Sequence, residues 1–397
     1  MASYSATERR QDSGGTSFLY DPRIRGIFYQ VIVFGAVIGA IYWIVGNTIT
    51  NLQRANIASG FGFLNGRAGF DISQTLIQYN SDSNYGRAFL VGLVNTLYVA
   101  ALGVVTASII GFLVGIGRLS RNWLIRKICT VYVEIFRNIP PLLVIFFWYF
   151  GVLSVLPQAR DSFALPLGTY LNNRGFFMPS PVWGEGAWLL PVALLVGIVA
   201  SVVIARWAKR RQMATGQPFH IIRVSAALII GLPILALIAT GFPVSFDLPK
   251  LGTFNLTGGA QVKPEFLALF LALSFYTASF IAETVRAGVL GVSKGQTEAA
   301  YAVGLRPGQT MRLIIVPQAL RIIIPPLSSQ YLNLIKNSSL AIAIGYPDLV
   351  AVGGTILNQT GQSVEVVAIW MVIYLGISLI TSGLMNWFNA KMALVER

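Results

Sequence analysis

Residues 293–317 read SKGQTEAAYAVGLRPGQTMRLIIVP, a polar segment of small residues set between two strongly apolar regions. Ser293 and Gln296 have the spacing of a capping box, in which the two residues satisfy each other's free backbone N–H groups at a helix start. Gly304 is a suitable end for this helix, because glycine adopts the left-handed backbone conformation at no steric cost. The first half of the stretch therefore predicts a short helix over about 296–303.

The second half predicts a turn and another helix. Arg306 precedes a proline, which biases Arg306 out of the helical region. Pro307 has the fixed backbone angle that suits the first position of a helix. The whole stretch is thus expected to form a helical hairpin that leads back into apolar sequence.

The composition indicates a membrane protein. The chain has 397 residues, of which 55% are hydrophobic and 11% are charged, and its mean hydropathy is +0.66. Soluble proteins carry roughly 25% charged residues. Cys129 is the single cysteine and His220 the single histidine, so neither an intrachain disulfide nor a Cys/His metal site can form. The N-terminus lacks the apolar core of a signal peptide and is interpreted as a cytoplasmic tail over 1–25.

Apolar runs long enough to cross a bilayer predict an all-α polytopic fold with about eight spans. The runs cover 26–53, 88–117, 128–156, 186–205, 224–246, 266–282, 312–335 and 366–390. The third run contains Pro140 and Pro141, which must break or kink a helix and free carbonyl groups.

The positive-inside rule orients these spans, because cytoplasmic loops carry an excess of lysine and arginine. Most of the 29 basic residues fall on one side if both tails (1–25 and 391–397) and the hairpin lie in the cytoplasm. Segment 54–87 then lies outside. The net charge of +14 is explained by this topology, and no nucleic-acid partner is needed.

Several enzyme signatures are absent from the sequence. It has no GxxxxGK[ST] phosphate loop, so the chain cannot bind ATP by that route. It also lacks a G-x-S-x-G motif, and a single histidine excludes most catalytic triads and metal hydrolases. No catalytic residue and no metal ligand is predicted, although a membrane-embedded enzyme stays open as a weaker alternative.

Polar residues inside spans are candidates for function, because they are costly in lipid. Glu134 and Arg137 share one helix face, where they either neutralise each other or line a pathway. Glu283 and Arg286 repeat this spacing and favour an interfacial salt bridge. A further group in the seventh span predicts either a lined pathway or a helix-packing seam. The group extends just beyond the end of this span, and its members are Ser328, Ser329, Gln330, Asn333, Lys336, Asn337, Ser338 and Ser339. The last five of these are the candidate pathway residues. The pathway is favoured, since Lys336 should not face lipid.

One small-residue motif occurs in the second span. Gly111 and Gly115 form a single GxxxG match, which would allow close helix packing. With 39 glycines in the chain, a chance match is the default interpretation.

The hairpin resembles the cytoplasmic signature of binding-protein-dependent ABC importer permeases. The resemblance is carried by Glu298, Ala299, Ala300, Gly304, Ile314 and Pro317. The stretches GLVNTLYVA (92–100), VEIFRNIPPLL (133–143) and LIKNSSLA (334–341) are similar to the polar amino acid uptake branch. DPRIRGIFYQ (21–30) and the extra spans within 186–246 are similar to the long permeases of general L-amino-acid uptake systems.

The resemblance implies a type I permease core over 88–390, with an extra N-terminal helix at 26–53 and an inserted helix pair at 186–246. The loop 293–307 would dock on a separate ATPase subunit, with Glu298 and Arg306 as polar contacts. The implied partners are that ATPase, a second related permease in a heterodimer and a periplasmic amino-acid-binding protein, in a bacterial inner membrane. The chain itself would need no cofactor, because ATP is used by the partner.

The sequence departs from the family pattern at Asn337, where relatives often have aspartate. The loss of a carboxylate beside Lys336 argues against a strictly cationic substrate and favours broad specificity, with Lys336 free to meet a substrate carboxylate. An ion-coupled secondary amino acid carrier, with Glu134 as the coupling carboxylate, is the alternative.

Overall fold

A computed structural model describes residues 22–54, 60–252 and 255–392. The predicted tails, apart from a few residues at their inner ends, lie outside these ranges. The described residues form twelve α-helices. They are α1 (Pro22–Arg54), α2 (Tyr85–Gly117), α3 (Trp123–Asn138), α4 (Pro141–Phe146), α5 (Leu189–Thr215), α6 (Ile221–Ala239), α7 (Pro264–Leu290), α8 (Lys294–Ala302), α9 (Pro307–Thr310), α10 (Val316–Asn337), α11 (Leu349–Thr360) and α12 (Ser363–Met392).

The predicted number of spans is confirmed. Seven helical segments are long and apolar enough to cross a membrane, and the count is eight if the bent pair of helices α3 and α4 forms one span. The chain turns by 111° between α3 and α4. Pro140 and Pro141 lie at this bend. Helix α3 ends before them, because proline has no N–H group to continue its backbone hydrogen bonds. A π-helical turn, Phe147–Leu153, follows α4.

The core lies where α2 packs along α7, with α10 and α11 beside them. Two glycines of α2 make this contact close, so the GxxxG match is a packing motif. A Cβ atom at Gly111 would lie 2.6 Å from the Cβ of Ile281, and one at Gly115 would lie 2.7 Å from the Cβ of Val285. Any side chain at either position would push the two helices apart.

Three small antiparallel sheets cover the end of the molecule opposite the hairpin, and the sequence analysis did not predict them. The largest has the strand order β1-β2-β3-β8. Its register pairs Phe163 with Leu171 and Phe176 with Val262. The strands are β1 (Phe163–Leu165), β2 (Thr169–Asn172), β3 (Gly175–Met178), β4 (Ser180–Trp183), β5 (Val244–Asp247), β6 (Lys250–Leu251), β7 (Leu256–Thr257) and β8 (Ala260–Val262).

Two parts of the chain stand apart from the core. Helices α5 and α6 pack along each other and have no extensive contact with the other helices. Their two ends meet in the β4–β5 pair, where Trp183 lies opposite Val244. Helix α1 is exposed along almost its whole described length. They correspond in position to the helices that the resemblance implies to be an inserted pair and an extra N-terminal helix.

Candidate functional site

The hairpin has the predicted shape. Helix α8 is followed by Gly304 in the left-handed conformation, with φ +80°. The N–H groups of Gly304 and Leu305 donate to the carbonyls of Tyr301 and Ala300, at 2.9 and 3.0 Å, and so close the helix end. Arg306 is extended, with φ −71° and ψ 155°, and Pro307 opens α9 as predicted.

The predicted capping box at the start of α8 is wrong. Ser293 makes no side-chain hydrogen bond to the helix. The Gln296 side chain instead accepts a hydrogen bond from Nε2 of Gln318, at 3.2 Å, and so joins α8 to α10. The backbone N–H of Arg306 donates to Oε1 of Gln309 at 3.1 Å, so the side chain of Gln309 caps the start of α9. A tertiary contact outcompetes the local cap.

One face of the hairpin is turned inward and the other is exposed. Ala300 is buried and Ile314 is half-buried, so these two residues support the hairpin from inside. The other residues of the family signature are exposed: Glu298, Ala299, Gly304, Arg306 and Pro317.

Two apolar residues share the exposed face, and the sequence analysis did not single them out. Tyr301 is 49% exposed and Val303 is 76% exposed. Large apolar side chains in a short, mostly polar helix are the signal that could have found them, since they are unfavourable in water unless a partner covers them. The exposed face is therefore suited to a protein partner.

Next to the hairpin, a carboxylate joins three arginines from three helices. Glu283 of α7 binds Arg286, one turn further along α7, with a shortest distance of 2.7 Å. It also binds Arg118, which follows α2, and lies 3.7 Å from Nη1 of Arg137 on α3. The predicted Glu283–Arg286 pair is confirmed, and the cluster ties the ends of α2, α3 and α7 together.

The Glu134–Arg137 pair considered in the sequence analysis is not formed in this structure. Arg137 turns to Glu283, and its guanidinium lies 5.6 Å from the centre of the Phe280 ring. Glu134 is exposed and has no ion pair within the described chain. The two residues share a helix face but not a contact.

Helix α10 carries a polar stripe on one side. Ser329, Asn333 and Lys336 are all exposed and follow one another at helical spacing. The opposite side of the helix is buried. Its residues are Ala319, Ile323, Ile324, Leu327, Leu334 and Ile335. A polar stripe at membrane depth is unfavourable against lipid, so this side of α10 faces water or protein.

The three residues after Lys336 lie differently. Ser338 is buried and donates from its hydroxyl to the carbonyl of Ile335 at 2.7 Å. The Ser339 hydroxyl donates to the carbonyl of Lys336 at 2.7 Å. Asn337 is half-buried. Asn333 and Lys336 therefore share the exposed stripe, whereas both serine hydroxyls satisfy backbone carbonyls at the end of α10.

A buried acid near the opposite end of the molecule was missed. Asp348 is completely buried, and one of its oxygens accepts from the N–H of Ala351 at 2.8 Å and caps α11. Its other oxygen has no hydrogen-bond partner among the residues that the structure describes. Burial raises the pKa of this carboxyl to about 7. An aspartate directly before an apolar run is a helix-start signal that could have found it.

Asn95 holds this region together. Its side-chain Nδ2 donates to the backbone carbonyls of Gln74 and Pro347, both at 2.9 Å, and its backbone carbonyl accepts from the Tyr346 hydroxyl at 3.0 Å. Segment 60–84 is thereby fixed to α2 and to the start of α11. Within the described ranges, no three His, Cys, Asp or Glu side chains are grouped as a metal site.

With the geometry described, comparison with known proteins identifies the family. The profile of the binding-protein-dependent transport system inner membrane component family matches residues 107–394. The chain belongs to this family. It is an ABC transporter permease, a multi-pass subunit of the inner membrane and a transport component rather than an enzyme. Permeases of this family work with an ATPase and a substrate-binding protein.

Three relatives match this permease over almost their whole length. The general L-amino acid transport system permease protein AapQ of Rhizobium johnstonii is 65% identical over 96% of this chain and 95% of its own. The putative amino-acid ABC transporter permease protein YhdX of Escherichia coli is 50% identical over 98% and 100%. The glutamate/glutamine/aspartate/asparagine transport system permease protein BztB of Rhodobacter capsulatus is 42% identical over 96% of both chains.

The family decides between the functions left open by the sequence. A secondary carrier and a membrane enzyme are both excluded by membership of the ABC permease family. A chain of a solved amino acid ABC transporter covers 77% of this chain and 95% of its own, with 20% identity and a TM-score of 0.47. That similarity is too low to add to the argument.

Proposed function

We propose that this permease moves polar L-amino acids across the bacterial inner membrane, with broad rather than single-substrate specificity. Alternating access would open the pathway first to one side of the membrane and then to the other. Two of the relatives support the substrate class, since one is named for general L-amino acids and the other for two acidic and two amide amino acids. The single observation that carries the proposal is the exposed polar stripe of α10.

The stripe needs a polar neighbour that the described part of this chain does not supply. The proposed neighbour is a second, related permease, so that the pathway lies between the two subunits. Lys336 would offer a positive charge to the carboxylate that every amino acid carries. Asn337, in place of a carboxylate, leaves that charge free for acidic substrates as well as neutral ones.

The exposed face of the hairpin is the proposed dock for the ATPase. Tyr301 and Val303 supply apolar contact area, and Glu298 and Arg306 supply charges. ATP would be bound and hydrolysed by that partner, and this chain would need no cofactor. Movement of the docked hairpin passes to α7 on one side and to α10 on the other, because α8 and α9 connect these two helices.

The proposed orientation follows the basic residues. The hairpin and both chain ends lie in the cytoplasm, and the β-sheets and segment 60–84 lie in the periplasm, where an amino-acid-binding protein would deliver the substrate. The proposed domain limits are those of the resemblance, with the coupling loop at 293–307 and the inserted pair within 186–246.

The test reverses one charge on the hairpin. Glu298→Lys should reduce co-purification of the ATPase by roughly tenfold, because one exposed ion pair and its repulsive replacement together amount to about 1–2 kcal/mol. Uptake of amino acids into proteoliposomes that contain the whole transporter should fall with it. Glu185→Lys is the matched control, since Glu185 is also exposed but lies next to β4, far from the hairpin. Normal assembly and uptake with Glu298→Lys would refute the docking assignment.

A further inference from the structure

The charge cluster around Glu283 contains more positive than negative groups. Arg118, Arg137 and Arg286 face the one carboxylate. The three arginines are not held equally. The Arg118 side chain is only 9% exposed and Arg286 binds at 2.7 Å, whereas Arg137 is 39% exposed and stays 3.7 Å away. Glu283 therefore keeps two close partners even when Arg137 leaves.

Arg137 has a second carboxylate within reach. Glu134 lies three residues earlier on α3, at a spacing that allows an ion pair along the same helix. In this structure Glu134 is exposed and, within the described chain, unpaired. If Arg137 moves away from Glu283, it loses one weak ion pair and can form another with Glu134. The two arrangements can therefore have similar free energies, as a two-state element requires.

The backbone around α3 allows such an exchange. Helix α3 ends at a proline-containing bend of 111°, so it is not continuous with α4. Its main contact is with α7, on the same side as the cluster. Arg137 stacks on Phe280 of α7. The Tyr132 hydroxyl of α3 also donates to the Phe275 carbonyl of α7 at 2.6 Å, so separation of the two helices must break this hydrogen bond as well.

We propose that Arg137 is a switching residue of the transport cycle. It binds Glu283 when α3 is packed against α7, and it binds Glu134 when α3 separates from α7. The inference rests on the proposed function only in that alternating access requires these spans to move relative to each other. Glu134 and Glu283 are positioning residues in this scheme, and neither needs to touch the substrate.

The only cysteine of the chain provides a reporter for this movement. Cys129 lies on α3, half-buried against the end of α2, where a Cβ at Gly117 would be 2.5 Å from its Sγ. Arg118, the next residue after Gly117, stays bound to Glu283 in both proposed states. Separation of α3 from α7 must therefore also uncover the Cys129 thiol.

The experiment measures how fast a maleimide modifies this chain in the complete transporter, reconstituted in nanodiscs. The rate is taken at rest and again with ATP and loaded binding protein. In the wild type, ATP and binding protein are expected to raise the rate several-fold. Glu283→Gln should give the raised rate already at rest. Glu134→Gln should suppress the rise, because the alternative partner of Arg137 is lost.

The two variants must therefore change the rate in opposite directions. Equal changes in both, or a normal rise in Glu134→Gln, would overturn the proposal. Asp82→Asn is the control, since it removes an exposed ion pair with Arg67 outside the spans and should leave both rates unchanged. If Glu283→Gln does not assemble, Glu134→Gln still decides, because Glu134 is exposed and unpaired here. Absence of uptake by the wild type would instead contradict the proposed function.

Discussion

At the scale of single residues, the lack of a side chain at a glycine determines helix packing as much as a bulky side chain does. The GxxxG match could be found in the sequence, but its meaning could not, because a chance match and a packing motif have the same letters. The structure identifies a packing motif, because a Cβ atom added at Gly111 would overlap with the side chain of Ile281. Pairing of charges was similarly only half predictable. Glu283–Arg286 is local and was predicted, whereas Arg118 and Arg137 reach Glu283 from distant parts of the sequence.

Gly111→Ala should destabilise the folded chain. The added methyl group would lie 2.6 Å from Ile281 and 3.0 Å from the Ala278 carbonyl, so the helices must shift, at about 1–3 kcal/mol. Thermal unfolding of the purified transporter measures the loss. Gly383→Ala in α12 is the matched control, because nothing lies within 4 Å of that position. It should be neutral or slightly stabilising, since alanine favours helix more than glycine does. Equal effects of the two changes would contradict the packing argument.

Asp348 should make stability depend on pH. Burial raises its folded-state pKa to about 7 from an ordinary value of 3.8, so the folded chain retains a proton that the unfolded chain has lost. Stability is therefore full below about pH 4 and decreases as the pH rises to about 7. Between about pH 5.5 and pH 8 the loss amounts to about 2 kcal/mol.

Asp348→Asn should remove that share of the pH dependence. Asparagine keeps an oxygen for the N–H of Ala351 and is equally good as a helix cap, but it has no charge to bury. The measurement is the difference in unfolding temperature between wild type and variant at the two pH values. A difference that does not grow from the lower to the higher pH would show that Asp348 is already ionised in the folded chain.

At the scale of elements, the long helices were predictable and the short strands were not. A run of 20 or more apolar residues has few alternatives to a span, and the hairpin carries a glycine stop and a proline start. The strands have only two to four residues each, too few for an alternating pattern to be recognised. They also depend on pairing across long separations, such as β3 with β8 on either side of the inserted helices. Helix α11 was missed because its 12 residues are too few for a span.

The inserted helices should be removable. The Gly184 N–H donates to the Pro243 carbonyl at 2.7 Å, so the two ends of the insertion already meet. Replacing residues 185–242 by Asn-Gly, a pair that favours two-residue hairpin turns, should leave the core folded. Assembly with the ATPase and amino acid uptake are the measurements. Replacing residues 294–303 in the same way is the contrasting variant, and it should abolish both. Failure of the first variant to assemble would show that α5 and α6 support the core.

At the scale of the whole molecule, the class of protein followed from composition and the family from one hairpin. The proposed pathway could be predicted only as a group of polar residues. Which of them share a surface depends on how α10 is rotated, and that is fixed by the packing of Ile323 and Leu334 on the core.

Lys336→Ala should lower the uptake of acidic amino acids by roughly tenfold or more, because an ion pair in a partly desolvated pathway exceeds the 1 kcal/mol of an exposed one. Uptake of amide amino acids should fall less. The measurement is uptake of glutamate and glutamine into proteoliposomes with saturating binding protein. Arg67→Ala, a loss of positive charge outside the spans, is the control. Unchanged uptake of both substrates by Lys336→Ala would remove this residue from the pathway.

The polar stripe of α10 also affects how the cell must handle the newly made chain. If the proposed second permease covers the stripe, a copy that reaches the membrane without it would expose Asn333 and Lys336 to hydrocarbon, where polar groups are costly. Such an unpaired subunit is expected to be unstable in the membrane and to be degraded by membrane proteases. The proposed pairing would therefore require balanced synthesis of the two permeases, because of the polar residues on one side of α10.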